Sequence, residues 1–338
     1  MSIISVAKIA GVSHATVSRV INNRPGVADK TIKVVKSAMQ QVGYRPAAKR
    51  RGPKAKNSNS LRTGNIAVLF FNQLPTLSNA PIASQLLNTI ENVLSAKGAN
   101  LLLGQIKNET NLPPSVIAKQ VDGLLLYGNA PSSKIRERLE CFPSVWLMSQ
   151  RSRHGYWGSR VQPDNRAIGH LAAEYLHNKS CKRLLYIHLD YEHWGMNLRY
   201  SSFCEAVSDY KISKVIKYKK KIAQASINSV AIEDFIDMQI KYAFGNRVKP
   251  DGIFIPRATA AGFVYKSLRK VGIHPGNNLH IICCDQSEVL TGLDPTPETI
   301  DIQVQTIADK SVNLLFQIIN EGALFEDVNM LTKPQFIY

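Results

Sequence analysis

The sequence predicts an N-terminal all-α helix-turn-helix head followed by an α/β core of two doubly wound parallel-sheet subdomains. Three observations lead to this fold class. At 338 residues the chain exceeds one typical domain. Residues 1–46 contain three short apolar repeats with helical spacing. From residue 65 onward, apolar runs of strand length alternate with amphipathic stretches, which is typical of parallel sheets covered on both faces.

The positive charge of the chain is concentrated at its N-terminus. Residues 1–64 hold 13 of the 42 Lys and Arg residues but a single acidic residue, Asp29, and the formal charge of the whole chain is +17. A small unit that is basic throughout favours binding to a polyanion. Charge alone leaves nucleic acid and an anionic membrane surface as alternatives.

The remaining composition is that of an ordinary globular protein, with 44% hydrophobic residues. No run of about 18 apolar residues predicts a membrane span, and the N-terminus lacks the pattern of a secretory signal peptide. The five cysteines have no CxxC spacing. We therefore expect a cytoplasmic protein with buried free thiols, and neither a disulfide framework nor a zinc site.

Three amphipathic helices are predicted in the head. Gly11 can adopt the positive φ that a tight turn between the first two helices requires, and Ser13 occupies the N-cap position of the second. The third helix begins at Asp29 and ends near Gly43. This arrangement is a helix-turn-helix unit. The predicted apolar faces are Val6, Ile9 and Ala10, then Val17, Val20 and Ile21, and finally Ile32, Val35, Ala38, Met39 and Val42.

The motif "VAKIAGVSHATVSRVINN", followed by "VGYRP" and "SLRTG", resembles the DNA-binding head of the LacI family of bacterial transcription factors. The resemblance implies that the second helix enters the major groove, where His14, Ala15 and Arg19 contact base edges. Arg19 would donate two hydrogen bonds to a guanine, and Ala15 would contact a thymine methyl group. His14 could instead be a solvated histidine.

Further polar residues of the head would suit contacts with phosphates, which set the register on DNA without reading bases. For Thr16 and Ser18, local hydrogen bonding to the backbone is an equally good interpretation. The predicted phosphate contacts are Ser5, Thr16, Ser18, Asn22 and Thr31.

Residues 47–64 form a basic linker that departs from the family, because an insert broken by a Gly-Pro pair precedes Leu61. A Gly-Pro pair cannot continue a helix, so a hinge helix could form at most near residues 58–63. The resemblance implies that Leu61 inserts into the minor groove and kinks the DNA. Arg50 and Arg51 could lie along the minor groove in extended form, or the segment could be a flexible basic tether.

The core, residues 65–338, is too long for one ordinary doubly wound sheet, so we expect two subdomains. Its order of strands and helices resembles the family's effector-binding and dimerisation core, which is similar to type I periplasmic sugar-binding proteins. The predicted subdomains are residues 65–158 with 288–318, and residues 159–287 with 319–338. The predicted helices span about 83–97, 134–139, 166–178, 197–208, 231–244, 260–271 and 308–320.

In this fold, ligands bind between the subdomains at the carboxyl ends of parallel strands. The resemblance implies a ligand-binding arginine at Arg199 in "LRYSSF" and an aspartate at Asp285 in "CCDQ", which together suit a polyhydroxyl ligand such as a carbohydrate. Arg257 departs from the family, where asparagine or aspartate is commoner. It indicates an anionic ligand, such as a sugar acid or sugar phosphate, unless it pairs with Asp285 or another acid. Gln73 and Gln150, after two other strands, are further candidates.

Catalysis finds little support in the sequence. No Walker loop, HExxH, GxSxG or Gly-rich dinucleotide fingerprint is present, so we predict no enzymatic activity, no catalytic residues and no cofactor. The one dense polar cluster is His188, Asp190, Glu192 and His193. It could hold a metal ion, but a loop at a strand end is the commoner explanation, and we predict no metal site.

Two functions from different classes remain. The first is a homodimeric transcriptional regulator, a repressor by resemblance, that binds a pseudo-palindromic operator in double-stranded DNA under control of a small-molecule effector. The second is an α/β solute-binding protein or enzyme whose basic head tethers it to a polyanion. The helix-turn-helix spacing argues against a tether, and the lack of an export signal argues against periplasmic transport. We therefore predict the regulator, with no membrane partner.

Overall fold

The structure is a computed structural model in which the chain forms two compact units, Met1–Lys54 and Ala55–Tyr338. The predicted fold class is confirmed, because an all-α head is followed by two parallel-sheet α/β subdomains. The described residues are 3–21, 26–44, 61–71, 81–106, 111–149, 155–189, 193–212, 214–216, 218, 229–276, 278–322 and 326–337.

The head packs three helices around a small apolar core. Val6, Val17 and Val35, one from each helix, are fully buried at its centre. The prediction that Ile9 belongs to the buried face is wrong, since its side chain is 50% exposed. Val6 and Ala10, one helical turn apart, form the packed stripe, and Ile9 lies on its flank. The helices are α1 (Ile3–Ala10), α2 (His14–Ile21) and α3 (Asp29–Gln41).

The strands of the core form two six-stranded sheets. Their continuous apolar sequences, such as "NIAVLFF", are explained by burial on both faces. The strands are β1 (Asn65–Phe71), β2 (Asn100–Ile106), β3 (Gly123–Gly128), β4 (Ser144–Leu147), β5 (Ser159–Pro163), β6 (Arg183–Tyr186), β7 (Lys214–Ile216), β8 (Gly252–Ile255), β9 (His280–Cys284), β10 (Glu298–Asp301), β11 (Asn329–Thr332) and β12 (Gln335–Ile337).

The first sheet has the strand order β11-β5-β4-β3-β1-β2 and is parallel throughout. The second has the order β12-β10-β9-β8-β6-β7 and is parallel except for β12, which pairs antiparallel with β10. Parallel neighbours require crossover connections, and helices supply them here. In both sheets the carboxyl ends of the central strands therefore share one edge.

The helices of the core cover both faces of each sheet, as a doubly wound fold requires. Seven of them are predicted by the sequence, with ends that differ by a few residues. The four-residue α5 is not. The helices are α4 (Pro81–Ala96), α5 (Pro114–Ile117), α6 (Ser133–Leu139), α7 (Asn165–Asn178), α8 (Trp194–Asp209), α9 (Ser229–Phe244), α10 (Ala261–Lys270) and α11 (Val304–Glu321).

The strand pairing places the subdomain boundaries differently from the sequence prediction. β5 and β11 belong to the first sheet, although the sequence predicts residues 159–287 and 319–338 in the second subdomain. β10 belongs to the second sheet, although the sequence predicts residues 288–318 in the first. The physical reason is that the chain crosses between the sheets after β5, after β10 and after β11, so that β11 returns to pair with β5 and β12 returns to pair with β10.

The three crossovers meet at Thr332, which is 1% exposed. Its hydroxyl oxygen lies 3.4 Å from the carbonyl oxygens of both Gln162 and Ile302, which belong to the other two crossover regions. The Thr332 carbonyl accepts a hydrogen bond from the Asp164 N–H at 3.0 Å. One buried side chain therefore joins the segments that connect the subdomains.

The cysteines only partly follow the expectation of buried thiols. Cys181, Cys283 and Cys284 are buried and Cys204 is partly buried, but Cys141 is exposed, so the prediction is wrong for Cys141. Cys141 follows α6 at the surface of the first subdomain, where no apolar cluster covers it. None of the described helices is long and apolar enough to span a membrane.

Candidate functional site

One face of α2 carries the residues predicted to read bases. His14, Ala15 and Arg19 are exposed, whereas Val17 and Val20 on the opposite side are buried in the head core. The helical period of 3.6 residues produces this division. The exposed face is unobstructed by its own unit, so α2 can enter a groove of the width of the DNA major groove.

Thr16 is engaged locally at the start of α2. Its backbone N–H donates a hydrogen bond to the Ser13 hydroxyl oxygen at 3.1 Å, and the two hydroxyl oxygens lie 2.9 Å apart. This N-cap favours the local interpretation of Thr16 over a phosphate contact. Ser5, Ser18 and Thr31 are half-buried, and their contacts with phosphate stay predictions. The predicted DNA contacts Asn22, Arg50 and Arg51 lie outside the described residues.

Leu61 packs against the core of the second unit, and no hinge helix contains it. Its side chain is half-buried against the apolar cluster of the two sheets, and residues 61–64 are not helical. The cause is Asp122, whose carboxylate accepts hydrogen bonds from the backbone N–H groups of residues 62–64 at 2.7–3.2 Å. A hinge helix that extends to Thr63 is therefore wrong for this structure.

In the core, Arg199 and Asp285 form a buried ion pair. Arg199 projects from α8, and Asp285 follows β9 at the carboxyl edge of the second sheet. Arg199 Nη1 lies 3.5 Å from Asp285 Oδ1, and both residues are 3% exposed. Arg199 and Asp285, which the sequence predicts as ligand contacts, are therefore paired with each other. Buried charges require such a partner.

Two further groups hold Arg199 in place. Asn165, at the start of α7, accepts a hydrogen bond from Arg199 Nε at 2.7 Å, and the Pro256 carbonyl accepts one from Nη1. Burial alone lowers the pKa of Arg199, but neighbouring Cys284 and Asp285 outweigh it, so the pKa lies above its usual value. Sequence reasoning missed Asn165, although its motif "VQPDN" marked a strand-to-helix junction.

The backbone at Asp285 is unusual, with φ at 75°. A non-glycine residue in this left-handed region is strained, and such strain persists where the surrounding structure fixes it. Here the Asp285 N–H donates to the Ile300 carbonyl at 3.0 Å, and the carboxylate faces Arg199. This backbone conformation accompanies the buried contact between the Asp285 carboxylate and Arg199.

Arg257 lies directly beside this ion pair, because the preceding residue, Pro256, accepts a hydrogen bond from Arg199. Among the described residues, Arg257 makes no ion pair and no hydrogen bond through its side chain, and it is partly exposed. The open alternative that Arg257 pairs with Asp285 is therefore not the arrangement in this structure. Gln73 and Gln150 lie outside the described residues.

Tyr127, at the end of β3, comes from the other subdomain. It packs against the apolar cluster that also contains Cys284, and its ring centroid lies 5.2 Å from that of Phe70. Burial raises its pKa, the charge of Arg257 lowers it and that of Asp285 raises it, with a net increase. Tyr127 is therefore a neutral phenol that can donate a hydrogen bond. Sequence reasoning missed it.

The polar cluster that the sequence offered as a possible metal site is partly described. The ring of His188 lies 4.6 Å from that of Tyr200, and its backbone N–H and carbonyl bond the Gln239 side chain at 2.9 and 2.8 Å. Asp190 and Glu192 lie outside the described residues. Within the described ranges, no group of three or more His, Cys, Asp or Glu residues is arranged to hold a metal ion.

Comparison with known proteins agrees with the fold predicted for the head and for the core. The family model described as "Bacterial regulatory proteins, lacI family" matches residues 2–47, and that of the periplasmic binding protein-like domain matches residues 159–336. The chain belongs to the lacI family. The predicted resemblance is thereby confirmed, and family membership places the chain among DNA-binding regulators of transcription.

Relatives in the lacI family match along nearly the whole chain. The HTH-type transcriptional repressor PurR of Pasteurella multocida (strain Pm70) is 26% identical over 94% of this chain and 91% of its own length. The ribose operon repressor of Escherichia coli (strain K12) is 22% identical over 97% and 96%. Among solved structures, the transcriptional regulator CelR in complex with cellobiose has a TM-score of 0.67 at 19% identity, with 100% of this chain and 98% of that chain covered.

Proposed function

We propose that this lacI-family protein is a cytoplasmic repressor that binds a specific operator as a homodimer and is controlled by a small-molecule effector. The observation that carries the proposal is the exposed face of α2, with His14, Ala15 and Arg19 presented side by side on a basic head. A guanidinium at this position matches the O6 and N7 acceptors of guanine. Of the two polyanions, DNA is favoured over a membrane surface, because binding to a membrane surface does not need base-reading side chains on one face of a helix.

The homodimer follows from the size of the head. A three-helix unit of this length offers a small contact area, so useful affinity needs two heads on a pseudo-palindromic operator. We propose that the core, residues 65–338, supplies the dimer contact. Sedimentation of the full chain at micromolar concentration should give a dimer, and a monomer both free and on a full operator would contradict it.

The effector is proposed to bind between the subdomains, at the carboxyl edge of the second sheet that carries Arg199, Asp285 and Arg257 and beside the end of β3, which carries Tyr127. This is the usual ligand position in open α/β sheets. The polar groups there support a carbohydrate or a carbohydrate derivative. The name of one relative, the ribose operon repressor, agrees with that class.

DNA selected from a random pool provides the operator for the decisive test, which compares Arg19→Ala with the wild type. We expect a loss of about 1–3 kcal/mol in operator affinity and a relaxed preference at one base position per half-site. Arg138→Ala, an exposed arginine of the core, is the matched control and should bind as the wild type does. Equal affinity of the wild type for operator and random duplex would favour the tethered solute-binding alternative.

The linker adds a separate, sequence-independent contribution. We propose that Arg50 and Arg51 bind the DNA backbone in the minor groove and that Leu61 leaves its packing on the core to insert between bases. Deletion of residues 49–56 should reduce the slope of log affinity against log salt by about 0.9 for each phosphate that the segment neutralises. An unchanged slope would make the insert a passive spacer. Leu61→Ala should reduce DNA bending while half-site binding survives.

A test of the effector response requires a variant that leaves no buried charge unpaired. Removal of one partner of the Arg199–Asp285 pair would cost about 3–5 kcal/mol and could unfold the core. The double variant Arg199→Gln/Asp285→Asn removes both charges together. We expect it to bind operator without effector as the wild type does and to lose the effector response. A wild-type response would show that the pair is not part of the effector site.

A further inference from the structure

Asp122 holds the segment that leads from the linker into β1. Its carboxylate accepts hydrogen bonds from the N–H groups of residues 62–64 at 2.7–3.2 Å, and its own N–H donates to the Asn65 carbonyl at 2.8 Å. The Arg62 guanidinium donates a hydrogen bond to the carbonyl of Lys119, which lies shortly before Asp122 in the chain. Hydrogen bonds to a charged acceptor are stronger than those between neutral groups. We call this arrangement the entry clasp, because it fixes the last residues before the first sheet.

The second subdomain contains the same arrangement at the equivalent place. Asp251 precedes β8 as Asp122 precedes β3, and its carboxylate accepts hydrogen bonds from the N–H groups of residues 182–183 at 2.7–3.1 Å. Its own N–H donates to the Arg183 carbonyl at 3.0 Å, and the Arg183 guanidinium donates to the Lys249 carbonyl at 2.6 Å. β1 and β6 occupy the same position in the two strand orders. The entry clasp is therefore a repeated device that fixes the start of a strand.

The two entry clasps differ in the segment that they hold. The segment before β6 comes from α7, which ends at Asn178 within the core. The segment before β1 is the end of the basic linker, residues 47–64, which connects the head to the core. Residues 62–64 therefore belong to the core while the first clasp is closed and to the linker when it opens. Because an extended chain spans at most about 3.3–3.6 Å per residue, opening adds up to about 10 Å to the reach of each head.

We propose that Asp122 determines which operator spacing the protein accepts, because its entry clasp sets the length of linker available to each head. This inference rests on the proposed binding of two heads to one operator. The second head binds with an effective concentration that depends on whether the linker can span the distance between the half-sites. A longer free linker lowers this concentration slightly at the preferred spacing and raises it at a wider one. Asp122 is thus a positioning residue that acts on DNA recognition through the linker.

Trypsin cleavage after Arg62 tests whether Asp122 holds the segment. In Asp122→Ala the N–H groups of residues 62–64 lose their acceptor, so we expect cleavage of the full chain at this bond, followed by mass spectrometry, to become about tenfold faster or more. Asp122→Asn keeps the shape and one acceptor oxygen, and its rate should lie between the two. The matched control, Asp251→Ala, opens the clasp of the second subdomain and should cleave at Arg62 as the wild type does. An unchanged rate in Asp122→Ala overturns the proposal.

Operators of two spacings test the role in recognition. The full chain is titrated with the selected operator and with the same operator widened at its centre by two base pairs, which moves the half-sites about 7 Å further apart. We expect Asp122→Ala to bind the selected operator less than about twofold more weakly than the wild type does. Its affinity for the widened operator relative to the selected one should rise about threefold or more. Asp251→Ala should keep the wild-type ratio, because loss of core stability alone weakens both complexes together.

The two measurements together separate the entry clasp from the proposed function. If trypsin cleaves Asp122→Ala faster but its ratio of affinities equals that of the wild type, Asp122 holds the segment without setting the spacing, and the proposal is wrong. An equal change of the ratio in Asp251→Ala would also overturn it, because the effect would then come from the core as a whole. If the wild type binds operator and random duplex equally, the proposed function fails and the spacing role fails with it, whereas the trypsin result still shows whether Asp122 holds residues 62–64.

Discussion

Gly169→Ala perturbs a close approach between the helices α7 and α8. A Cβ atom at residue 169 would lie 2.1 Å from Ser202 Oγ, 2.4 Å from the Arg199 carbonyl oxygen and 2.7 Å from the Phe203 backbone nitrogen. Rotation of the serine side chain could relieve the first clash only. The other two atoms belong to the backbone of α8, so the two helices must move apart.

The expected cost follows from two opposing effects. Overpacking of a core costs about 1–3 kcal/mol, and occasionally more. Alanine gains up to about 1 kcal/mol over glycine within a helix, which offsets part of that cost. Separation of the helices also disturbs apolar packing, since Ile168 and Ala172 of α7 share a cluster with Phe203 and Ala206 of α8. We expect the free energy of unfolding to fall by about 1–2 kcal/mol.

Urea unfolding measures the change, with Gly262→Ala as the matched control. Gly262 is also helical, in α10, but a Cβ atom there would meet nothing within 4 Å. The control should therefore be as stable as the wild type or more stable, by up to about 1 kcal/mol. Adding Ser202→Gly to Gly169→Ala should recover only part of the loss. If Gly169→Ala is as stable as Gly262→Ala, the close approach of the helices is not what fixes α8.

Three further results are expected. Asp122→Ala should accelerate amide hydrogen exchange at residues 62–64, because their N–H groups lose the carboxylate that binds them, while exchange in β3 should not change. A thiol reagent at neutral pH should label Cys141 fastest in the native protein, since it is exposed whereas burial raises the pKa of Cys181 to about 11, and Cys141→Ser should remove this phase. Thr332→Val should lower the free energy of unfolding by about 1 kcal/mol through loss of the hydroxyl that joins the crossovers, and an unchanged value would contradict that role.

Local elements of this chain are well determined by local sequence. The helix predicted over residues 166–178 is α7, Asn165–Asn178. Its start is fixed by Asp164, whose carboxylate accepts hydrogen bonds from the N–H groups of Arg166 and Ala167 at 3.0 Å. Cap and apolar spacing lie within one segment, so both are visible without the rest of the fold.

The arrangement of the sheets is not visible in the same way. β11 pairs with β5, so that Asn329 lies opposite Arg160 although they are far apart along the chain. The apolar pattern of a strand shows that it is buried but not which sheet buries it. The subdomain prediction therefore failed at the crossovers. Leu61 illustrates the same limit, since its packing depends on Asp122, which no local pattern connects to it.

The residues of the candidate site also differ in whether the sequence alone could reveal them. Arg257 could be identified from the sequence, because asparagine or aspartate is commoner at this position in the family that the chain resembles. The pairing of Arg199 with Asp285 could not, since each residue taken alone fits a ligand contact equally well. Tyr127 escaped notice because a tyrosine at the end of "DGLLLY" fits a buried strand, and its packing against the cluster that also contains Cys284 of the second sheet depends on the tertiary fold.

The buried ion pair also orders the backbone at the carboxyl edge of the second sheet. Arg199 binds both Asp285 and the Pro256 carbonyl, so the ion pair fixes the backbone from which Arg257 projects. In the proposed effector site, a closure that excluded water from Arg257 would be costly for an unpaired guanidinium and favourable for one that faces an anion. An anionic ligand and its neutral analogue should therefore have different effects on closure, even where they bury similar areas. Because a ligand shifts a conformational equilibrium only by its differential affinity for the two states, this difference would be the source of the proposed allosteric control, for which about 1–3 kcal/mol is typical.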